Sequence, residues 1–596
     1  MLKLSAALGM SLAMPAWCAR AGQPPASLSA LLDRQLALFM ARYPENATLY
    51  GYDIGTQADL RGQLGDRSAA RMRQDRSALQ SALRQLHQID PQRLSKTDRL
   101  SYEVAEYVYQ SGIDALAWYG QVDIDLRPTP YVVNQMNGAY YWLPEFLMNN
   151  HPVQDRQDLA YFIDRVAQLA TLVDQETARV NDDAARGVIA PSFVIDKTIA
   201  QLGDTVSRDT LATYWVQPAL QASRQLADPA FAMRLTRALD DHLRPALARQ
   251  ADALARLRPR ADATAGVWHL PDGDAYYRMA LSSNITDQVD PAELHQFGLD
   301  KFHDIQHELD LQLRKIGNTH GSVALRLQTL QEDQRYRVTD DDAGRQRILD
   351  YVKARIADVE NRLGTMFHPY RLGELVVRRM SETIEASSPT ANYSPGGENS
   401  PGVFAVNLYQ PSVLPLWKLP TLIYHESIPG HHFQDSVVRG AQGLSAFRKV
   451  ARFSAYTEGW ALYAEQLAAE MGVYENEEAG YVGHLQSELF RAARIVVDSG
   501  IHLKRWDREQ AIDWMVQNAG ETRLESSREI DRYCVYPGQA CSFLMGASAI
   551  NTLRDARRYS EGASFDVRDF HRDILESGPM PLTVMKRQLG RKDPSP

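Results

Sequence analysis

The stretch Leu422-Ile423-Tyr424-His425-Glu426-Ser427-Ile428-Pro429-Gly430-His431-His432-Phe433-Gln434 constrains this chain more than any other. Three histidines and a glutamate follow directly on an apolar run. A solvated helix face would scatter its charges, and a core helix would exclude them. The pair His425-Glu426 matches the first half of the H-E-x-x-H zinc pattern. In that pattern two histidines one helical turn apart hold the ion, and the glutamate between them faces the metal-bound water as general base.

The second half departs from the pattern. Position 429 is Pro, and the next histidines, His431 and His432, stand six and seven residues after His425. Seven residues of straight helix rise about 10.5 Å, whereas two nitrogens on one zinc each lie about 2 Å from it. An unbroken helix cannot bring both to one ion. Pro429 lacks an N–H and clashes with the carbonyl of His425, which places a break there. Gly430 tolerates a strained backbone. A bulge of two residues returns His431 to the place of the second ligand, with His432 as the alternative.

Two further carboxylates lie downstream in Tyr456-Thr457-Glu458-Gly459-Trp460-Ala461-Leu462-Tyr463-Ala464-Glu465, a stretch of helical period. Glu458 and Glu465 are seven apart and share a face. A carboxylate 33 residues after His425, on a second helix, supplies a third zinc ligand, so Glu458 is the candidate and Glu465 the residue behind it. The alternative is a surface position or a pair with Arg452. Gly459 inside a helix costs about 1 kcal/mol against Ala, which close approach of two backbones would explain.

Two further stretches carry site chemistry. Asp498-Ser499-Gly500-Ile501-His502 sets an acid and a histidine four apart, either to orient a catalytic imidazole or as an ordinary pair on a helix surface. Arg532-Tyr533, followed by Pro537-Gly538-Gln539, offers a phenol for a developing oxyanion and a guanidinium for a substrate carboxylate. Gln539, and Asn407 ahead of the histidines, are further substrate-binding candidates.

The remaining chain sets the frame. With 596 residues, 44% of them apolar, it can bury a large core in two or more lobes. A net charge of −9 with no dense Lys/Arg stripe argues against nucleic acid and against an anionic membrane surface. Lys3, the apolar run Leu4 to Trp17 and Ala19-Arg20-Ala21 read as a signal peptide over residues 1–21, hence an exported, periplasmic or extracellular protein. No later stretch is apolar enough for a transmembrane helix. Helical period dominates residues 27–260, as in Asp158 to Ala185 and Phe231 to Leu243, and makes this the N-terminal lobe. Pro128, Pro130 and Tyr140-Tyr141-Trp142-Leu143-Pro144 mark an irregular connection. Pro259 to Gly273 marks the boundary to a second lobe, 261–596, whose helices resume at Asp290-Pro291 with an N-cap and a first-turn proline. Glu374 to Met380 and Gly402 to Tyr409 read as strands joined by a Gly/Pro/Ser-rich loop, either an open edge for an extended peptide or a covered hairpin. Cys534 and Cys541 flank a Pro-Gly turn and are either a small disulfide loop or two buried thiols.

Four of these stretches together resemble the DUF885 family: His425-Glu426-x-x-Pro429-Gly430-His431-His432-x-Gln434, Glu458-Gly459-Trp460-Ala461-x-Tyr463-x-Glu465, Asp498-x-Gly500-x-His502 and Arg532-Tyr533-x-x-x-Pro537-Gly538-Gln539. The resemblance runs from about Ser27 to the C-terminus. It implies a mainly α fold similar to the two-lobed zinc carboxypeptidases and dipeptidyl carboxypeptidases of the gluzincin kind, with a small sheet beside the zinc helix. It also implies two histidines and a downstream glutamate on the metal, and a tyrosine at the oxyanion. Cys541-Ser542-Phe543 departs from the small-Ser-Tyr expected after Gln539. The expectation is thus a Zn2+-dependent peptidase acting on short peptides. Its ligands are His425, His431 (or His432) and Glu458, with Glu426 as base and Tyr533 or His502 at the oxyanion. The competing readings are a zinc amidase acting on a small modified amino acid or amide, and a non-catalytic peptide binder.

Overall fold

The computed structural model describes residues 27–123, 127–380, 385, 390–396 and 401–590. Helix makes up 71% of it, so the fold is mainly α. The expected signal segment lies outside the described residues. Among those described, no helix is long and apolar enough to cross a membrane.

Apolar residues at helical spacing build two main cores. One runs from Leu64 to Leu257 and stays within the first half of the chain, around the long helix α1 (Arg156–Ala185). The other draws on residues from Leu100 to Met585 and surrounds the histidine stretch. The chain therefore reaches into the second core well before residue 261. Expected helix signals act as read: the Asp290 carboxylate caps α2 (Pro291–Lys315) by accepting from the N–H groups of Ala292 and Glu293.

One expectation fails here. The aromatic run at Tyr140 is no irregular connection but part of a helix, Ala139–Asn149, with Pro144 inside it. Tyr140, Leu143 and Leu147 of this helix are buried in the first core, and that burial outweighs the hydrogen bond Pro144 cannot make.

Two strands of two residues, β1 (Gln121–Val122) and β2 (Pro128–Thr129), form a small antiparallel ribbon. The main sheet has the order β3-β5-β4, where β3 is Leu375–Arg379, β4 Ala391–Ser394 and β5 Gly402–Val406. β3 and β5 run parallel, so they are not the two arms of a hairpin. β4 pairs antiparallel with β5 and was hidden in the sequence because it lies inside the Gly/Pro/Ser-rich loop.

The helices that matter for function follow the sheet: α3 (Leu419–Glu426), α4 (His431–Gly440), α5 (Ser454–Glu470), α6 (Glu478–His502), α7 (Arg523–Val535) and α8 (Ser542–Glu561). α5 packs along α8, and α2 along α6. The α5–α8 crossing explains the glycine in α5. A Cβ on Gly459 would stand 2.5 Å from the Cα of Gly546, nearer than any side chain can sit.

Candidate metal centre

The helix carrying His425 stops one residue later. α3 ends at Glu426, Ser427 leaves helical geometry, and α4 begins at His431 as a separate helix. The Ile428–Pro429 bond between them is cis. The interruption is thus a full break rather than the bulge expected from sequence. Gly430 is required by crowding and not by its φ of −78°: a Cβ there would lie 1.9 Å from the His425 carbonyl oxygen. The Trp460 indole of α5 donates to the Pro429 carbonyl at 3.0 Å and ties the break to the neighbouring helix.

This folding-back brings His425 and His431 together with their rings 4.9 Å apart, at 85° to each other. Glu458 completes the group. Its Oε2 lies 3.5 Å from Nε2 of His425 and 3.5 Å from Nε2 of His431. Two ligands each about 2.1 Å from a tetrahedral zinc stand about 3.4 Å apart, so the spacing and the donor types both suit that ion. Among the described residues these three are the one group of His, Cys, Asp and Glu close enough to share a metal.

The heptad spacing on α5 has a second effect. Glu465 reaches the other nitrogen of the same imidazole, accepting from Nδ1 of His425 at 2.8 Å. It also accepts from the Thr421 hydroxyl, one turn before His425 on α3. Glu465 is 1% exposed, so its charge acts on His425 with little screening. Burial alone would lower the His425 pKa, but the flanking carboxylates of Glu458 and Glu465 outweigh it and hold it at about 9. Burial would raise Glu458, yet the two imidazoles pull its pKa well below the ordinary carboxylate range. The carboxylates favour the charged form of His425, and a metal taken up at its Nε2 would have to displace a proton there.

Glu426 is the last residue of α3 and points to the sheet. Its Oε2 accepts the backbone N–H of Tyr393 at 3.1 Å. Tyr393 lies in β4, one of the two edge strands, so the outward side of that strand meets the Glu426 carboxylate.

His432 is turned away from this group. Its Nε2 donates to the Gly373 carbonyl at 3.0 Å and its Nδ1 meets the Tyr393 hydroxyl at 3.2 Å. As the second residue of α4 it points about 100° round the helix from His431, which rules it out as the alternative ligand in this conformation.

The other expected site residues have different partners. Tyr533 is fully buried and donates its only phenolic proton to Glu529 at 2.7 Å, so that proton is not offered to the metal group. His502 accepts from the Val267 N–H at 3.1 Å and donates to the Tyr533 carbonyl, also at 3.1 Å. Burial lowers its pKa to about 4. Asp498 accepts from the Tyr277 hydroxyl at 2.7 Å and from the Gly538 N–H at 3.0 Å. Both residues of the supposed surface pair are therefore interior, and they fasten α6 to other segments rather than to each other. Arg532 donates to the Gln539 side chain at 2.6 Å. Asn407 donates to the Glu385 carbonyl at 2.7 Å and accepts from the Tyr409 N–H at 3.1 Å, which ties its own loop. Cys534 and Cys541 are buried free thiols.

Three residues beside the centre are not among the site residues expected from sequence, although Phe543 stands where the family pattern expects a tyrosine. Phe543 of α8 stacks on His425, rings 6.4 Å apart and tilted by 17°. Over the same phenyl ring lie the guanidinium carbons of Arg491, at 4.8 Å, and Arg494, at 4.2 Å. Their spacing on α6 was the available signal, since i and i+3 share a helix face. Read alone, two arginines on a long helix suggest solvent.

The chain belongs to the DUF885 family, described as bacterial protein of unknown function, whose pattern matches residues 44–589. Its structure is similar to that of "the putative lipoprotein from Colwellia psychrerythraea", with TM-score 0.88 and 28% identity over 94% of this chain and 98% of that one. It also shares its fold with a "putative lipoprotein of unknown function" from Shewanella oneidensis, with TM-score 0.70 and 17% identity over 95% of this chain and 100% of that one. None of the curated proteins compared matches it.

Proposed function

We propose that this protein is an exported zinc-dependent hydrolase that cleaves peptide bonds in short peptides, of carboxypeptidase or dipeptidyl carboxypeptidase type. The observation that carries the reading is the convergence of His425, His431 and Glu458 within 4.8 Å, with Glu426 next to His425 in the chain. Two histidines and one carboxylate leave a fourth position open, as catalytic zinc sites do. Zinc held by the three would polarise a substrate carbonyl and make a water acidic enough to attack it near neutral pH.

The chain's own residues supply the rest. Glu465 fixes the His425 ring from its far nitrogen. Glu426 takes the proton of the attacking water and returns it to the leaving amine. The Tyr393 N–H holds one of its oxygens at 3.1 Å and so fixes the carboxylate's direction. A peptide running past the outward side of β4, where Glu426 already takes the Tyr393 N–H, would lie alongside that carboxylate, which favours an extended peptide over a small amide as substrate. Export is supported by the N-terminal sequence and by the lipoprotein descriptions of both structural relatives.

Glu426→Gln is the test. It keeps the shape of the side chain but cannot take a proton. Zinc content should be retained while turnover of short peptides falls by roughly 10²–10⁴. Turnover near that of the parent refutes the reading, and so does a parent protein that hydrolyses no short peptide.

A further inference from the structure

We infer that Arg491 and Arg494 form a carboxylate-binding subsite beside the metal centre, one that takes an acidic group of the substrate, either its C-terminal carboxylate or an acidic side chain. The inference rests on the peptidase reading and names the substrate class for the same site.

Two guanidiniums lie over one phenyl ring, and that ring stacks on the metal-site imidazole of His425. Arg494 is 2% exposed, yet its Nε and Nη2 have no hydrogen-bond partner, and neither has the buried Nε of Arg491. Among the described residues neither arginine has an ion-pair partner. This is an unusual expense for a fold. Burying a guanidinium without a partner is strongly unfavourable, and two like charges on one helix face add repulsion.

The nearby compensation is partial. Besides Asp498, four residues further along α6, Arg494 feels the carboxylate of Glu529. It accepts from Tyr533 at 2.7 Å and also stands 3.9 Å from Arg532. Its pKa is lowered because the pull of Arg532 and Arg494 outweighs burial. Three guanidiniums thus share one carboxylate. Glu458 and Glu465 also act on Arg491, but Oε2 of Glu458 faces His425 and His431, and the two oxygens of Glu465 accept from His425 and Thr421. The guanidinium carbons of both lie over Phe543, while the Nε of each and the Nη2 of Arg494 are left without a partner, N–H groups of the kind that bind a carboxylate in fork geometry. Arg532, expected from sequence to bind the carboxylate, is already tied to Gln539.

Binding is measured by calorimetry on zinc-loaded Glu426→Gln protein, which cannot consume its ligands. Three probes are compared: acetyl-Ala-Ala-Ala with a free carboxyl terminus, the same peptide as its C-terminal amide, and acetyl-Ala-Ala-Glu amide. At least one acidic probe should bind roughly tenfold or more tighter than the neutral amide, the scale of a charge-assisted hydrogen bond. Which one does so identifies the source of the carboxylate. Adding Arg491→Gln should erase most of the preference. Arg494→Lys, which keeps the buried charge should Arg494→Gln fail to fold, should weaken it. Binding of all three probes within about threefold of one another overturns the subsite. So does no binding by any of them, or a preference that survives both substitutions. Failure of the peptidase reading looks different: acidic probes bind preferentially, but the parent protein cuts no peptide.

Discussion

The carboxylate behind His425 is the most quantitative handle on this site. Glu465→Gln preserves size and lets the amide oxygen still accept from Nδ1 of His425, now held at 2.8 Å, while the amide nitrogen turns to the Thr421 hydroxyl. Only the charge is lost. Carboxylates that orient a metal-bound histidine are worth roughly 10–100-fold in metal affinity, or about 1.4–2.7 kcal/mol. The upper part of that range is expected, because Glu465 is 1% exposed and little solvent screens it. Zinc affinity of parent and variant, measured by competition with a chromogenic chelator at fixed pH, reads the difference directly. The variant should still bind one ion, but more weakly by that factor. Affinity within about twofold of the parent would refute the claim that Glu465 tunes the metal through His425. Complete loss of zinc would make it a ligand or a folding requirement instead.

Two further outcomes follow from the geometry. His431→Ala should lose zinc, whereas His432→Ala should keep it, because both ring nitrogens of His432 are engaged elsewhere, at 3.0 and 3.2 Å. Metal analysis of the two purified variants decides, and the reverse result would mean that α4 is turned in the metal-loaded protein. Burial raises the pKa of Asp498 from 3.8 to about 7 against the opposing hydrogen bonds of Tyr277 and Gly538. Between about pH 4 and 7 the folded chain therefore keeps a proton that the unfolded chain has released, and stability from this group falls as pH rises. Asp498→Asn removes that dependence. In urea unfolding the variant should gain about 2–3 kcal/mol on the parent between pH 5 and pH 8. A difference that does not change with pH would show that Asp498 is not held protonated.

The sequence carried the metal group because its signals are local. The Pro-Gly step says that a helix must break, and heptad spacing says that Glu458 and Glu465 point the same way. Only the form of the break needed coordinates: a bulge keeps one helix axis, while the observed turn starts a new helix at His431. What stayed hidden depends on packing between distant segments. Tyr533 looks available until Glu529, one turn earlier, is seen to take its proton. Asp498 and His502 look like a surface pair until α6 is found to be buried along this length. β4 has too few residues, in a loop too rich in turn formers, to show the alternation of a strand. Arg491 and Arg494 show in sequence only that they share a helix face, and a long helix with arginines most often faces water.

The central claim is that one zinc ion is held by His425, His431 and Glu458. Diffraction recorded on both sides of the zinc absorption edge, from crystals of protein never exposed to a chelator, tests it most directly. The account predicts a single strong anomalous peak about 2.0–2.2 Å from Nε2 of His425, Nε2 of His431 and the Glu458 carboxylate. No peak there, or a peak bound through His432 instead of His431, would contradict it.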